Sequence, residues 1–324
     1  MNVPPSSPGK ALLQLFLVLF ALTSCCCFLG LRWLASLDLH SLAPTPAPAP
    51  APAPEPAPPP LPEEPSDARG VHLGLALVPA STPLSQTHTY EWRAASLSPQ
   101  EYRLGYGLGE SLQRSLQSNH QAYGRRMNFR SLGPERFTYR APPGCQTDMR
   151  CIYAELMRTN AVPVRVLGNR FVEHIRARGL DAIAAAELII SFVQRIHYEQ
   201  PDDQPFGILP PALVPAEDRG DCDSKAVLAV MLLRQAGIDS TILYSDPLSH
   251  AAVGVALPVR GHAFRVGARV YRYAELTTEG WPLGMIPPQH DKPHLWKVLP
   301  AAELPGATGD SGEEADTPRV DDVE

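Results

Sequence analysis

The stretch Gly220-Asp221-Cys222-Asp223-Ser224-Lys225-Ala226-Val227-Leu228-Ala229-Val230-Met231-Leu232-Leu233-Arg234-Gln235-Ala236-Gly237 decides the architecture. Its central part is apolar on almost every side of a 3.6-residue turn, which predicts a buried helix. Asp221 or Asp223 is placed to cap the first turn, and Gly237 is placed to stop the last. Three strands are expected downstream, over residues 240–245, 250–257 and 264–278, the last bent into a hairpin at Gly267. A helix followed by consecutive strands gives an α+β fold rather than alternating βαβ units.

Upstream of this stretch, Phe171, Ile175, Leu180, Ile183, Leu188, Ile189, Phe192, Val193 and Ile196 recur at helical spacing, broken at Gly179. The pattern predicts a short helix, then a longer one over 180–197, then a loop rich in Pro and Asp over 201–218. Residues 70–140 mix alternating stretches such as HTYEWR (88–93) with glycine breaks, which predicts strands plus one helix near 108–117. No chemistry stands out there, and the region reads as an accessory one.

The two ends read differently. Residues 11–31 (ALLQLFLVLFALTSCCCFLGL) form an apolar run, and a helix needs about 20 such residues to span a bilayer. Three readings stand: an uncleaved signal anchor, a bacterial lipoprotein signal with Cys25 acylated after Leu22-Thr23-Ser24, and a cleaved secretory signal. The chain stays apolar after Cys25, which favours the anchor over the lipoprotein. Lys10 and Arg32 flank the run almost symmetrically, so flanking charge does not choose an orientation. Residues 43–65 alternate Ala and Pro, which excludes helix and ladder and predicts a stiff spacer at about 3.1 Å per residue. Residues 306–324 are acidic and lack periodicity, as a disordered tail does. The expected division is an anchor over 1–37, a linker over 38–69, an accessory α+β region over 70–168, a catalytic domain over 169–300 and a tail over 301–324.

A net charge of -6 without a basic face argues against nucleic acid as a partner. Of the six cysteines, Cys25, Cys26 and Cys27 lie in the apolar run. Cys145 and Cys151 bracket a short loop and either close a local disulfide in an oxidising space or remain two thiols. If the pair closes, Cys222 is the single leftover, a candidate reactive thiol.

A thiolate is stabilised at a helix N-terminus, where unpaired N–H groups carry partial positive charge and can also hold an oxyanion. Two flanking acids oppose that, so a cationic partner is required. His250, opening an alternating strand, is the candidate base and acid, and Glu275 on the next strand is the candidate group that orients it. Alone, each residue has an ordinary structural explanation; their order along the chain is what singles them out. His262, His290 and His294 lack an accompanying CxxC or HExxH, so neither a metal nor another cofactor is expected. Asp202, Asp203, Asp218, Asp221 and Asp223 lack EF-hand spacing and read as solvated loop acids. Tyr198 and Gln204, in the loop before Cys222, read as packing or solvent-facing residues.

The succession GDCDSKA (220–226), SHAAVGV (249–255) and YRYAELTTEGW (271–281), with SFVQRIHYEQPDD (191–203) upstream, resembles the bacterial and archaeal transglutaminase-like cysteine-protease superfamily. The resemblance covers about residues 169–288. It implies a papain-like core in which the cysteine opens a helix packed on an antiparallel sheet that presents the histidine and the acid. Cys222 would be the nucleophile, His250 the base and acid, and Glu275 the orienting group, where transglutaminases carry Asp. Many relatives read Gly-Asp-Cys-Glu-Asp where this chain reads Gly-Asp-Cys-Asp-Ser. The resulting expectation is a membrane-anchored, periplasmic thiol hydrolase acting on peptide or isopeptide bonds of an envelope protein or peptide. An amine-accepting crosslinker and a non-catalytic peptide- or envelope-binding module are the alternatives.

Overall fold

A computed structural model of the chain describes residues 70–78, 84–133, 136–141 and 149–299. The expected anchor, linker and acidic tail lie outside these residues, as does Cys145. Among the described residues, no helix is long and apolar enough to cross a membrane.

The fold is α+β. Strands β1 (Val71–Val78), β2 (Leu84–Arg93) and β3 (Glu101–Gly109) form a sheet in the order β1-β3-β2, with β1 parallel and β2 antiparallel to β3. Helix α1 (Glu110–Arg126) follows, then a two-stranded ribbon of β4 (Arg130–Ser131) and β5 (Phe137–Thr138). Helices α2 (Arg150–Arg178), α3 (Ala182–Arg195), α4 (Val214–Glu217) and α5 (Cys222–Gln235) come next. The chain then builds β6 (Ser240–Ser245), β7 (His250–Val255), β8 (Ala263–Val266), β9 (Arg269–Ala274) and β10 (Lys297–Val298) into an antiparallel sheet ordered β10-β6-β7-β9-β8.

Helix α5 is central because its run over residues 226–233 is apolar throughout. Ala226 to Val230, Leu232 and Leu233 are all buried, and α5 packs on α2, α3, β6 and β7. Each fully buried aliphatic side chain contributes roughly 1.5–3 kcal/mol. The five-stranded sheet shows the period of two that a doubly covered sheet requires. Ile242, Ala251, Val253 and Ala274 join the main core, while Leu243, Ala252 and Tyr273 join a smaller cluster with Phe264 and Trp296. The sheet of β1–β3 packs on α2 and α3 through aromatic contacts, with Trp92 5.3 Å from Phe192 in an edge-on arrangement.

The sequence expectations meet this fold in detail. Gly179 ends α2 in the left-handed conformation (φ 61°) and Asp181 caps α3 by accepting from Ala184 N at 2.8 Å. Gly267 turns β8 into β9 with φ 57°. The helix before Gly179 is not short, however: α2 begins at Arg150 and passes through Pro163. An interior proline costs about 3 kcal/mol, and burial of Ile152, Tyr153, Leu156, Val164 and Leu167 along the same helix outweighs it. Strand β7 ends at Val255, two residues earlier than periodicity predicts.

Candidate active site

The N-terminus of α5 is built by local hydrogen bonds. Asp221, in extended conformation, accepts from Ser224 N at 2.9 Å and from Ser224 Oγ, so it, and not Asp223, is the cap. Ser224 Oγ in turn accepts from Leu209 N at 2.9 Å, which ties the cap to the preceding loop. Gly220 N donates to His197 O at 3.1 Å. A Cβ at Gly220 would come within 3.2 Å of both Ser224 Cβ and Val214 Cγ1, so the close approach favours glycine.

Cys222 occupies the first turn with 6% of its surface exposed. Its Sγ donates to Asp223 Oδ2 at 3.8 Å, and Asp223 Oδ1 accepts from Tyr153 OH at 2.5 Å. Burial, then Asp223 and Asp221, pushes the thiol well above its ordinary pKa, while the backbone N–H groups of Ala251 and Asp223 act the other way. The helix N-terminus, expected to favour a thiolate, is therefore outweighed, and the resting sulfur is a neutral thiol. Burial and the Asp223 charge also push Asp221 up to about 7.

The Ala251 N–H beside Cys222 belongs to the start of β7, whose first residue is His250. His250 Nε2 lies 3.2 and 3.3 Å from the two carboxylate oxygens of Glu275. Glu275 follows β9, the neighbour of β7, and is 1% exposed. Tyr273 OH donates to it at 2.7 Å, Leu276 N at 3.0 Å, and Thr277 through N at 2.8 Å and Oγ1 at 2.6 Å. Burial works against the charge, yet hydrogen bonds from His250, Thr277 and Tyr273 hold the carboxyl down at about 2. A carboxylate so acidic only accepts, so His250 presents a proton on Nε2, which leaves Nδ1 as the ring nitrogen turned to other chemistry. No hydrogen bond joins Cys222 to His250; the structure brings His250 and Glu275 together and sets Cys222, at the start of α5, beside the Ala251 N–H.

Several contributors carry little sequence signal. The His290 ring lies against His250 at a tilt, with ring centroids 4.1 Å apart, and Trp296 meets His250 edge-on at 5.9 Å. Lys225 is buried, donating to Ile196 O and, at 3.2 Å, to Leu276 O; burial brings its pKa down to about 8. Gln194 Nε2 donates to Glu275 O (2.9 Å) and Trp281 O (3.0 Å), and its Oε1 accepts from Gly280 N (3.0 Å). A lysine directly before the apolar run over residues 226–233, and a glutamine after the apolar run of α3, are the signals that mark Lys225 and Gln194.

Cys222 opens onto a cavity of about 320 Å³, lined also by Tyr198, Gln204, Phe206 and Asp223. Arg136 and Phe137, beside and within β5, close one wall, so the region without visible chemistry helps shape the cleft. Gln204 is buried, with one amide N–H donated to Asp203 Oδ2 at 2.9 Å and its Oε1 without a hydrogen-bond partner among the described residues. Tyr198 is 44% exposed. Of the loop acids, Asp203 pairs with Arg219, and only Asp221 and Asp223 converge, around Cys222. Cys151 is disulfide-bonded and Cys222 is free. No family model, curated protein or solved structure matches the chain.

Proposed function

We propose that this chain is a thiol-dependent acyl-transfer enzyme with a papain- or transglutaminase-like core, hydrolysing a peptide or isopeptide bond through a thioester on Cys222. The observation that carries the reading is the buried His250–Glu275 pair, set at the strand start whose Ala251 N–H lies against Cys222. Glu275 fixes the ring tautomer, and His250 Nδ1 takes the proton from the thiol as the sulfur attacks the acyl carbon. The same nitrogen then gives that proton to the departing amine, leaving a thioester that water opens to release the acid and regenerate the thiol. Because the resting thiol is neutral, proton transfer accompanies attack, and the contact tightens when substrate fills the cavity. The N–H groups at the start of α5 stabilise the oxyanion. An apolar anchor and a proline-rich spacer would hold this domain off a membrane on the extracytoplasmic side, which makes an envelope protein or peptide the substrate.

A second reading is a peptide-binding module with a silent site, favoured by the raised thiol and by the Asp223 contact of its sulfur. Labelling by a thioester-forming acyl probe separates the two. The enzyme reading requires labelling of the natural chain, none in Cys222→Ala and a large loss in His250→Ala. Equal rates in the natural chain and His250→Ala would overturn it.

A further inference from the structure

The strongest unassigned feature is the convergence of three side chains behind the nucleophile. His250 Nε2 lies 3.2 Å, and His290 Nδ1 3.9 Å, from the same Glu275 Oε2, and the ligand atoms of all three residues lie within 4.8 Å of one another. His290 Nδ1 is itself buried and has no hydrogen-bond partner, so one converging lone pair is unused. The side chains of His250, Glu275 and His290 are 7%, 0% and 20% exposed, which leaves the His290 edge as the way in.

We propose that His250, Glu275 and His290 form a binding site for a zinc-class divalent cation, and that the cation switches the thiol chemistry off. Two imidazoles and a carboxylate suit a borderline metal, with bond lengths of about 2.0–2.2 Å. Tetrahedral ligands at those lengths stand about 3.3 Å apart. The His250–Glu275 separation already matches this, and the His290–Glu275 separation exceeds it by about half an ångström. The turn that carries His290 is anchored, since His290 N donates to Pro287 O at 2.8 Å and its carbonyl accepts from Trp296 Nε1 at 3.1 Å. Donors from Tyr273, Leu276 and Thr277 hold the carboxylate from behind, the outer support that metal ligands normally have.

The switch rests on the catalytic reading above; the binding does not. A cation on His250 Nε2 displaces the proton from that nitrogen, and in the neutral ring the proton moves to Nδ1. The lone pair that receives the thiol proton is thereby lost, with no net proton change at the ring. Metal binding and acyl transfer become mutually exclusive.

The test uses the full chain, with zinc chloride titrated calorimetrically and cobalt(II) followed by its visible absorption. One cation per chain is expected in the natural protein and in Cys222→Ala, with a tetrahedral-type cobalt spectrum in both. His290→Gln, verified as folded by its melting curve, should bind at least about tenfold more weakly. Zinc should also suppress acyl-probe labelling of the natural chain, reversibly on chelation. No saturable binding in the natural chain, equal affinity in His290→Gln, or loss of binding only in Cys222→Ala would each overturn the site; the last would place the cation among Asp221, Cys222 and Asp223. Saturable binding with undiminished labelling would overturn the switch alone, and a chain that never labels but still needs His290 for zinc would overturn the catalytic reading and leave the site standing.

Discussion

Glu275 Oε2 stands 3.2 Å from His250 Nε2, so a carboxylate wholly withdrawn from solvent sets the tautomer of a ring on the neighbouring strand. Five donors converge on that carboxylate, from His250, Tyr273, Leu276 and twice from Thr277. Charge-assisted hydrogen bonds are roughly twice as strong as neutral ones, and a buried donor left without its acceptor is penalised. The pair is therefore a structural feature as well as a candidate catalytic one, and substitutions separate the two roles.

Glu275→Gln keeps the shape but replaces one oxygen by a donor facing donors. Its unfolding free energy should fall by about 1–3 kcal/mol, read by urea denaturation. Acyl-probe labelling of Cys222 should slow by at least about tenfold, and by about 10²–10⁴-fold in His250→Ala, which lacks the base itself. A Glu275→Gln chain that is less stable but labels at the natural rate would reduce Glu275 to a packing role.

Asp221 presses on the thiol through its charge while capping α5 through its Oδ1. Asn caps a helix as well as Asp does, so Asp221→Asn should retain the fold and remove the charge. The inflection in the pH–rate profile of Cys222 labelling should move to lower pH and the rate at pH 7 should rise. There is a stability consequence of definite sign. Asp221 has its folded pKa raised to about 7 from 3.8, so the native state holds the proton more tightly than the unfolded chain. Its contribution is present below pH 4 and lost as pH rises to about 7, and the decline should flatten in Asp221→Asn.

Lys225 gives the opposite slope in a different window. Its folded pKa is brought down to about 8 from 10.5, so between these values the unfolded chain binds more protons. Stability from this group rises as pH climbs through that interval, because the buried ammonium sheds its charge. Chemical denaturation from pH 7.5 to 9.5 should show the rise in the natural chain and not in Lys225→Met. A rise of equal size in both would place the titrating group elsewhere.

Helix α5, its glycine stop, the order of the following strands and the Gly267 hairpin were legible because each is written in contiguous residues. His250 and Glu275 were visible as residues, since the one opens and the other follows an alternating strand. The level of the thiol pKa was not, because the burial of Cys222 depends on packing around α5 that no local pattern encodes. His290 lies in a loop without periodicity, and its neighbours His250 and Glu275 stand 40 and 15 positions away. The cleft wall from Arg136 and Phe137 was hidden for the same reason, as were the first nineteen residues of α2, where Pro163 breaks the usual pattern.

Gln194 offers the sharpest test of how the orienting carboxylate is held. Its side chain joins the backbone at Glu275, Gly280 and Trp281, so it fixes the loop from which Glu275 reaches His250. Gln194→Leu preserves volume but leaves two carbonyls and one N–H buried without this partner, which should cost about 1–3 kcal/mol. A purely structural glutamine would slow labelling no further in one background than in another. A positioning glutamine acts through Glu275, so its effect should vanish once Glu275 is gone. In the cycle of Gln194→Leu, Glu275→Gln and the double variant, labelling of the double should match that of the slower single. Full additivity of the two effects on rate, alongside the expected loss of stability, would show that Gln194 supports the fold and not the His250–Glu275 pair.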